Sequence, residues 1–315
     1  MVLARRMTVM APVMAPVMTN DPVTVCAPAK VNLYLHVTGR RPDGYHELCS
    51  LFIFAGYGDE VTIAPADRLT LAVSGRFAAA LAGKEDNLVL RAARALRETA
   101  GRPTLGARLT LTKKLPVAAG LGGGSADAAA TLGALNHLWG LGLDDHALAD
   151  LALDLGADVP ACLAGRPVQV AGIGEQVRDA PTLPGFWLVL ANPGAPASTG
   201  AVFARFGQEG RAFSSPAPLA GPVKNFDALV AALAVRANDL EAAACHVAPL
   251  TGEVLVALRA APGCRLARMS GSGASCFGLF ATRAAARAVA ARLRADHPDW
   301  WVVAAPGHLE EKQCA

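Results

Sequence analysis

Gly120-Leu121-Gly122-Gly123-Gly124-Ser125, Lys30 and Asp158 are residues whose types could do chemistry together. A backbone that wraps an anion needs glycine, because only glycine reaches positive φ cheaply and leaves its N–H groups uncovered. The helical pattern starting near Gly124-Ser125 adds unpaired N–H groups and the positive end of a dipole, for which phosphate is the expected ligand. Phosphoryl transfer asks a protein for a held polyphosphate, balanced charge and a nucleophile oriented by a base. The glycine loop could do the first of these tasks. Lys30, with Asn32 on the same strand face, could bring positive charge to the acceptor. Asp158 could accept the hydroxyl proton, a nearby lysine keeping it ionised.

Other readings stand beside this one. A Walker loop is excluded, because Gly124 is followed by Ser125-Ala126 and not by the lysine that reaches terminal phosphates. A dinucleotide loop stays open, since Asp144 and Asp145 stand near the spacing at which an acidic residue meets a ribose. The glycines could also serve only to let a helix pack on a sheet. Taken singly, Asp158 reads as a helix N-cap, Lys30 as a solvated lysine and Asp127 as a first-turn carboxylate favoured by the dipole. Tyr45 and His46 could be hairpin residues without a ligand, and Ser270-Gly271-Ser272-Gly273 a tight turn.

The elements that position these groups follow from periodicity. Ala29 to Val37 alternates, so Val31, Leu33, Leu35 and Val37 face a core while Lys30, Asn32, Tyr34 and His36 share the other face. Arg41-Pro42-Asp43-Gly44 is a turn, followed by strands from Tyr45 to Phe54, Glu60 to Ile63 and Leu69 to Val73. Asn87 to Ala100 reads as an amphipathic helix. The strand Ala107 to Thr112 feeds the glycine loop, and Ala128, Leu132, Leu135 and Trp139 repeat at helical spacing after it. Asp144 caps the next helix, which stops at Gly156, so Asp158 stands at or just before another helix start. Pro181 to Gly185 reads as a linker, Phe186 to Ala191 as a buried strand, and Gly207 to Lys224 as a mobile loop. Helices over Phe226–Val235, Asp239–His246, Thr251–Ala260 and Arg283–Arg294, with strands around the second glycine turn and at Trp301 to Val303, suggest an antiparallel sheet with helices on one face.

A chain of 315 residues with 53% hydrophobic content can build two cored domains. We divide it into a disordered extension over 1–22, a nucleotide-binding domain over 23–180 and a second domain over 186–305. The net charge of +3 is too mild to imply nucleic acid. Seven cysteines without metal-like spacing fit a reducing, cytoplasmic setting, and the apolar segments are too short and broken for a membrane span.

Taken in order, Pro28 to Leu33, Pro42 to Leu48, Pro116 to Ala130, Leu155 to Pro160 and Ser270 to Ala274 resemble the GHMP small-molecule kinase superfamily, over approximately Val25 to Phe280. The resemblance implies an α+β, two-domain kinase fold: an N-terminal mixed-sheet nucleotide-binding domain, a C-terminal α/β sandwich domain, and the active site in the cleft between them. It implies ATP on Pro116, Ala118, Gly120, Leu121, Gly122, Gly123, Gly124, Ser125 and Ala126, with Mg²⁺ between the phosphates and Ser125 as its named ligand. Asp158 would be the base and Lys30 would orient the acceptor hydroxyl, with Asn32 helping to fix it. Asp43-Gly44-Tyr45-His46 and Gly156 to Pro160 point within the superfamily to an acceptor that is a cytidine diphosphate methylerythritol, phosphorylated on its 2-hydroxyl for isoprenoid synthesis. His46 would then read the cytosine edge, and Tyr45 and Phe203 would stack on its two faces, with Thr199 a further contact. Gly271, Ser272 and Gly273 would line the same cleft. The implied partner is this small molecule alone, for a monomer or weak homodimer; kinases of homoserine, mevalonate or a sugar, and a non-catalytic nucleotide-binding protein, are the alternatives.

Overall fold

The computed structural model describes residues 21–83, 87–195 and 197–308; apart from Asp21 and Pro22, the expected extension over 1–22 lies outside them. Two long strands begin the fold, β1 (Val23–Arg40) and β2 (His46–Pro65), paired antiparallel along their length. Then come β3 (Leu69–Ser74), α1 (Leu88–Thr99), β4 (Ala107–Thr112), α2 (Gly123–Leu138), α3 (Asp145–Leu155), α4 (Val159–Ala164), β5 (Val168–Gly172) and β6 (Gln176–Asp179). The remainder is β7 (Trp187–Asn192), α5 (Thr199–Gln208), α6 (Phe226–Ala234), α7 (Glu241–Val247), α8 (Leu250–Arg259), β8 (Leu266–Met269), β9 (Cys276–Phe280), α9 (Arg283–Asp296) and β10 (Trp301–Pro306).

The first sheet has the order β3-β4-β2-β5-β6 with β1 on β2, and it is mixed because β3 and β4 run parallel. The second, β10-β7-β9-β8, is antiparallel throughout. One face of this second sheet carries α5, α8 and α9, through Val202, Phe206, Leu255, Leu258, Val289 and Leu293. Its other face, through Leu188, Leu190, Phe277 and Trp301, packs against Val31, Leu33, Leu51 and Ile53 of the first sheet. Burial on both faces explains why Phe186 to Ala191 is an unbroken apolar run. Helices α1 to α4 cover the first sheet around a third core that includes Leu96, Leu109, Leu132 and Leu155.

The structure differs from the expected pattern in four places. The strands expected at 45–54 and 60–63 are one strand, because Gly56-Tyr57-Gly58 is no turn: Gly58 passes so close to Ala27 that a Cβ would collide with its carbonyl. The second face of β1 is not solvated: Lys30, Asn32, Tyr34 and His36 are all buried. A register shift between Asn32 and Tyr34 breaks the alternation there, so Leu33 and Tyr34 enter one core while Leu35 and Val37 enter another. The Leu33 carbonyl at this bulge accepts from Arg268, which also holds the Leu233 and Arg236 carbonyls. The segment after α5 has no helix or strand up to Asn225, yet it is tethered rather than loose. Ser214 N–H donates to the Val37 carbonyl, Leu219 is buried and joined at both backbone groups to Gln169, and Arg236 holds the Ala217 and Pro218 carbonyls. Finally, β5, β6 and α5 are additions to the expected pattern.

Candidate active site

The glycine loop is a backbone cradle. Ala118, Gly120 and Gly122 have φ of 52°, 75° and 61°, every second residue in the left-handed region. Alternation of this kind turns successive N–H groups toward one concavity, which suits an anion. Helix α2 starts directly behind it with Gly122 as its N-cap and no side chain covering its first N–H groups.

The second glycine turn is bolted to the first. Ser270 Oγ donates to the Gly120 carbonyl at 2.9 Å and accepts from Asn32 N–H at 3.1 Å. Ser275 N–H donates to the Ala119 carbonyl at 3.1 Å. Thr199 Oγ1 and Ser272 Oγ lie 2.8 Å apart, joining the start of α5 to the same turn.

Lys30 lies against this cradle, where a Cβ on Gly122 would stand 3.0 Å from the Lys30 Cβ. Its N–H donates to the Leu121 carbonyl, and its ammonium sits 4.2 Å above the Phe52 ring. That ammonium donates to Asp158 Oδ2 at 2.8 Å. Asp158 holds the N-cap position of α4 but caps nothing, because its φ of −84° and ψ of −14° are helical rather than the extended values capping needs. Its carboxylate, about a third exposed, faces the cleft with one oxygen committed to Lys30. The solvated-lysine and capping readings of these two residues therefore both fail.

Asn32 has a fixed orientation. Ser50 Oγ spends its single proton on the Tyr34 carbonyl, so it must accept from Asn32 Nδ2, at 3.0 Å. Asn32 Oδ1 is thereby turned away, buried and without a partner among the described residues, on a residue that lines the cleft. A Ser50→Ala substitution frees the amide to rotate. We expect it to lower kcat by about 3- to 10-fold, the scale of one hydrogen bond, with little change in the KM for nucleotide. Unchanged kcat in steady-state assays would contradict this role for Asn32.

The cleft has a volume of about 610 Å³ and is lined from both halves of the chain, by Lys30, Asn32, Pro116, Ala118, Gly120, Gly122, Gly123, Gly124, Ser125 and Asp158 on one side and Thr199, Phe203, Gly271 and Ser272 on the other. Leu121 and Ala126 instead turn into the cores, and Gly273 packs on Gly120. The expected aromatic clamp is arranged differently. His46, expected at the edge of the base, stacks on Phe203 with ring centroids 4.9 Å apart, and Tyr45, expected on the base's other face, is 62% exposed at the turn. Burial, followed by the charge of Arg40, holds the His46 imidazole below its ordinary pKa, so it is the neutral ring that stands here.

One group was missed. Lys113 is buried beneath the glycine loop, donating to Asp59 and, at 2.7 Å, to Asp127 Oδ2. Asp59 Oδ1 also takes the N–H groups of Lys114 and Leu115, pinning the chain as it enters the loop. Burial pushes the Asp127 carboxyl up to about 7, against the pull of Lys113 and with Asp59 adding to the rise. The signal was available: Ala107, Leu109 and Leu111 all point inward, and the same alternation carries Lys113 to the buried face.

A chain with these two halves and this loop defines a class. Residues 87–166 match the model of the GHMP kinases N terminal domain, and residues 223–299 match that of GHMP kinases C terminal. The chain belongs to the GHMP kinase family. It is similar to the 4-diphosphocytidyl-2-C-methyl-D-erythritol kinase of Paramagnetospirillum magneticum, 53% identical over 284 residues covering 90% of this chain and 97% of that one. The enzyme of the same name from Parvibaculum lavamentivorans is 54% identical over 285 residues, with the same coverage. A crystal structure of 4-(cytidine 5'-diphospho)-2C-methyl-D-erythritol kinase superposes with a TM-score of 0.75 at 37% identity, over 91% of this chain and 100% of the other. A homoserine kinase from Cytophaga hutchinsonii, at 20% identity and a TM-score of 0.67, shares the fold.

Proposed function

We propose that this chain transfers the terminal phosphoryl group of ATP to the 2-hydroxyl of 4-diphosphocytidyl-2-C-methyl-D-erythritol, in the non-mevalonate route to isoprenoid precursors. The observation that carries the reading is the Lys30–Asp158 ion pair, 2.8 Å long, lying against Gly122 in a cleft walled by both glycine turns. Relatives above 50% identity that bear this enzyme's name support the choice of acceptor.

The acceptor hydroxyl lies within reach of Asp158 and Lys30. Asp158 takes its proton as the oxygen attacks the terminal phosphorus and the bond to the bridging oxygen of ADP breaks. Lys30 holds Oδ2 of that carboxylate, fixing which oxygen meets the proton. Asn32 Oδ1, an acceptor lacking a donor, orients a hydroxyl of the acceptor. The N–H groups of Ala118 to Ser125 hold the phosphates as charge shifts onto the leaving ADP. Among the described residues no three His, Cys, Asp or Glu side chains could hold a metal by themselves. Mg²⁺ keeps waters and phosphate oxygens as most of its ligands, and Ser125, which lines the cleft at the start of α2, would supply a hydroxyl. When bound, the ion supplies charge neutralisation between the phosphates.

No helix among the described residues is long and apolar enough to cross a membrane, and we take the reaction to be cytoplasmic. ADP release from ATP is expected with the cytidine substrate and not with mevalonate or homoserine; turnover of mevalonate alone would reject the acceptor. His46→Ala is expected to raise the KM for the cytidine substrate about tenfold, the loss of one good contact, with the KM for ATP unchanged. Because the His46 pKa is lowered from 6.5, the wild-type KM for that substrate is expected to stay flat above pH 6.5 and to rise only in more acid solution. Equal effects of His46→Ala on both substrates would contradict base reading.

A further inference from the structure

Beneath the glycine loop lies a charge cluster with one loose end. Lys113, Asp59 and Asp127 are each at least 97% buried. Lys113 is matched by both carboxylates. Both oxygens of Asp59 are bonded, one to Lys113 and the other to two backbone N–H groups. Asp127 Oδ2 is held by Lys113, whereas Asp127 Oδ1 is buried with no hydrogen-bond partner among the described residues, on a residue that lines the cleft. A buried carboxylate oxygen without a donor is left desolvated and uncompensated, so such an atom calls for an occupant.

The charges say which kind. With its three groups ionised the cluster carries one net negative charge directly under a cradle built for polyphosphate. While Asp127 is ionised, phosphate oxygens cannot satisfy Oδ1, because acceptor faces acceptor and like charge faces like. A divalent cation answers both problems. It takes Oδ1 as a ligand and neutralises the cluster's excess against the incoming phosphates. Mg²⁺ in nucleotide sites is held by one or two carboxylates together with phosphate oxygens and waters, and Asp127 offers one beside the glycine loop.

We propose that Asp127 Oδ1, two residues beyond Ser125, is the protein carboxylate that meets the Mg²⁺ of the bound nucleotide, directly or through one of its waters. This rests on the reading of the cleft as a nucleotide site. Lys113 is then the group that holds the Asp127 carboxylate still from the other side, and Asp59 the group that holds Lys113.

The test is ADP binding by calorimetry, in EDTA and in saturating Mg²⁺, which requires no turnover. Wild type is expected to bind ADP at least about tenfold more tightly with Mg²⁺. Asp127→Asn, which keeps the shape and one bond to Lys113, is expected to lose that increment while binding metal-free ADP at least as well as wild type. Asp59→Asn removes the same charge from the cluster but leaves Asp127 Oδ1 in place, so it is expected to keep the increment. Asp127→Cys is the independent arm: Cd²⁺, which accepts thiolate, is expected to restore tight ADP binding where Mg²⁺ does not. Asp127→Asn keeping the full Mg²⁺ increment, or Asp59→Asn losing as much as Asp127→Asn, would overturn the proposal. Failure of wild type to bind ADP under either condition would sink the nucleotide reading itself, and the metal contact with it.

Discussion

Asp158→Asn is expected to fold, to bind ATP as wild type does, and to lose about 10²- to 10⁴-fold in kcat, the range a positioned general base contributes. The amide keeps the shape of the carboxylate and can still accept from Lys30, now at 2.8 Å from Oδ2, so the cleft should not rearrange. What it cannot do is take a proton from the acceptor hydroxyl. Because Asp158 makes no capping bond to α4, the substitution removes no helix-end contact, and thermal unfolding should move little. Lys30→Met should also cost activity, and the double variant should be little worse than the worse single one, since the two side chains act as a unit. A variant that unfolds but keeps full activity per folded molecule would show Asp158 to be structural.

Gly120→Ala is expected to have the second largest effect, on stability and on ATP together. Gly120 has a φ of 75°, a conformation costing an L-residue about 1–2 kcal/mol. The added methyl would also collide with the Ser270 carbonyl and stand 3.0 Å from the Gly273 nitrogen. Both neighbours are backbone, so no rotamer change relieves the contact and the second glycine turn must move. Moving it pulls Ser270 Oγ from the Gly120 carbonyl and from Asn32 N–H. We expect a loss of about 2–4 kcal/mol by chemical denaturation, from strain plus one or two hydrogen bonds, and a rise of 10-fold or more in the KM for ATP. Gly133→Ala serves as control: it lies inside α2, a Cβ there meets nothing within 4 Å, and alanine should stabilise the helix by up to about 1 kcal/mol. Equal behaviour of the two variants would refute the account of how the glycine turns are joined.

How far each residue could be read in advance follows from how local its determinants are. Asn87 and Asp144 cap α1 and α3 through oxygens that reach N–H groups two and three residues away, so their roles are written in a few neighbouring letters. Gly44 closes its turn with an N–H donated to Arg41, again within four residues. Gly58 carries the same turn-forming signal and means the opposite, because the backbone that crowds it belongs to another strand. Lys113 lay within reach of simple alternation, but its partners, Asp59 and Asp127, stand 54 and 14 residues away and became visible only when β2, β4 and α2 were packed.

By itself the sequence determined the positive-φ cradle before α2, the inward faces of the strands, and the ordered set of segments that marks the family, since each depends on backbone sterics and side-chain period over a short span. Only the tertiary structure decided that Asp158 serves Lys30 instead of its helix, that the Asn32 carbonyl is left open to the cleft, and that both faces of β1 are buried from Ala29 to Val37. The physical reason is distance along the chain: Lys30 and Asp158 are separated by 128 residues, and what a polar side chain does when buried is settled by which partner the packing brings within hydrogen-bond reach.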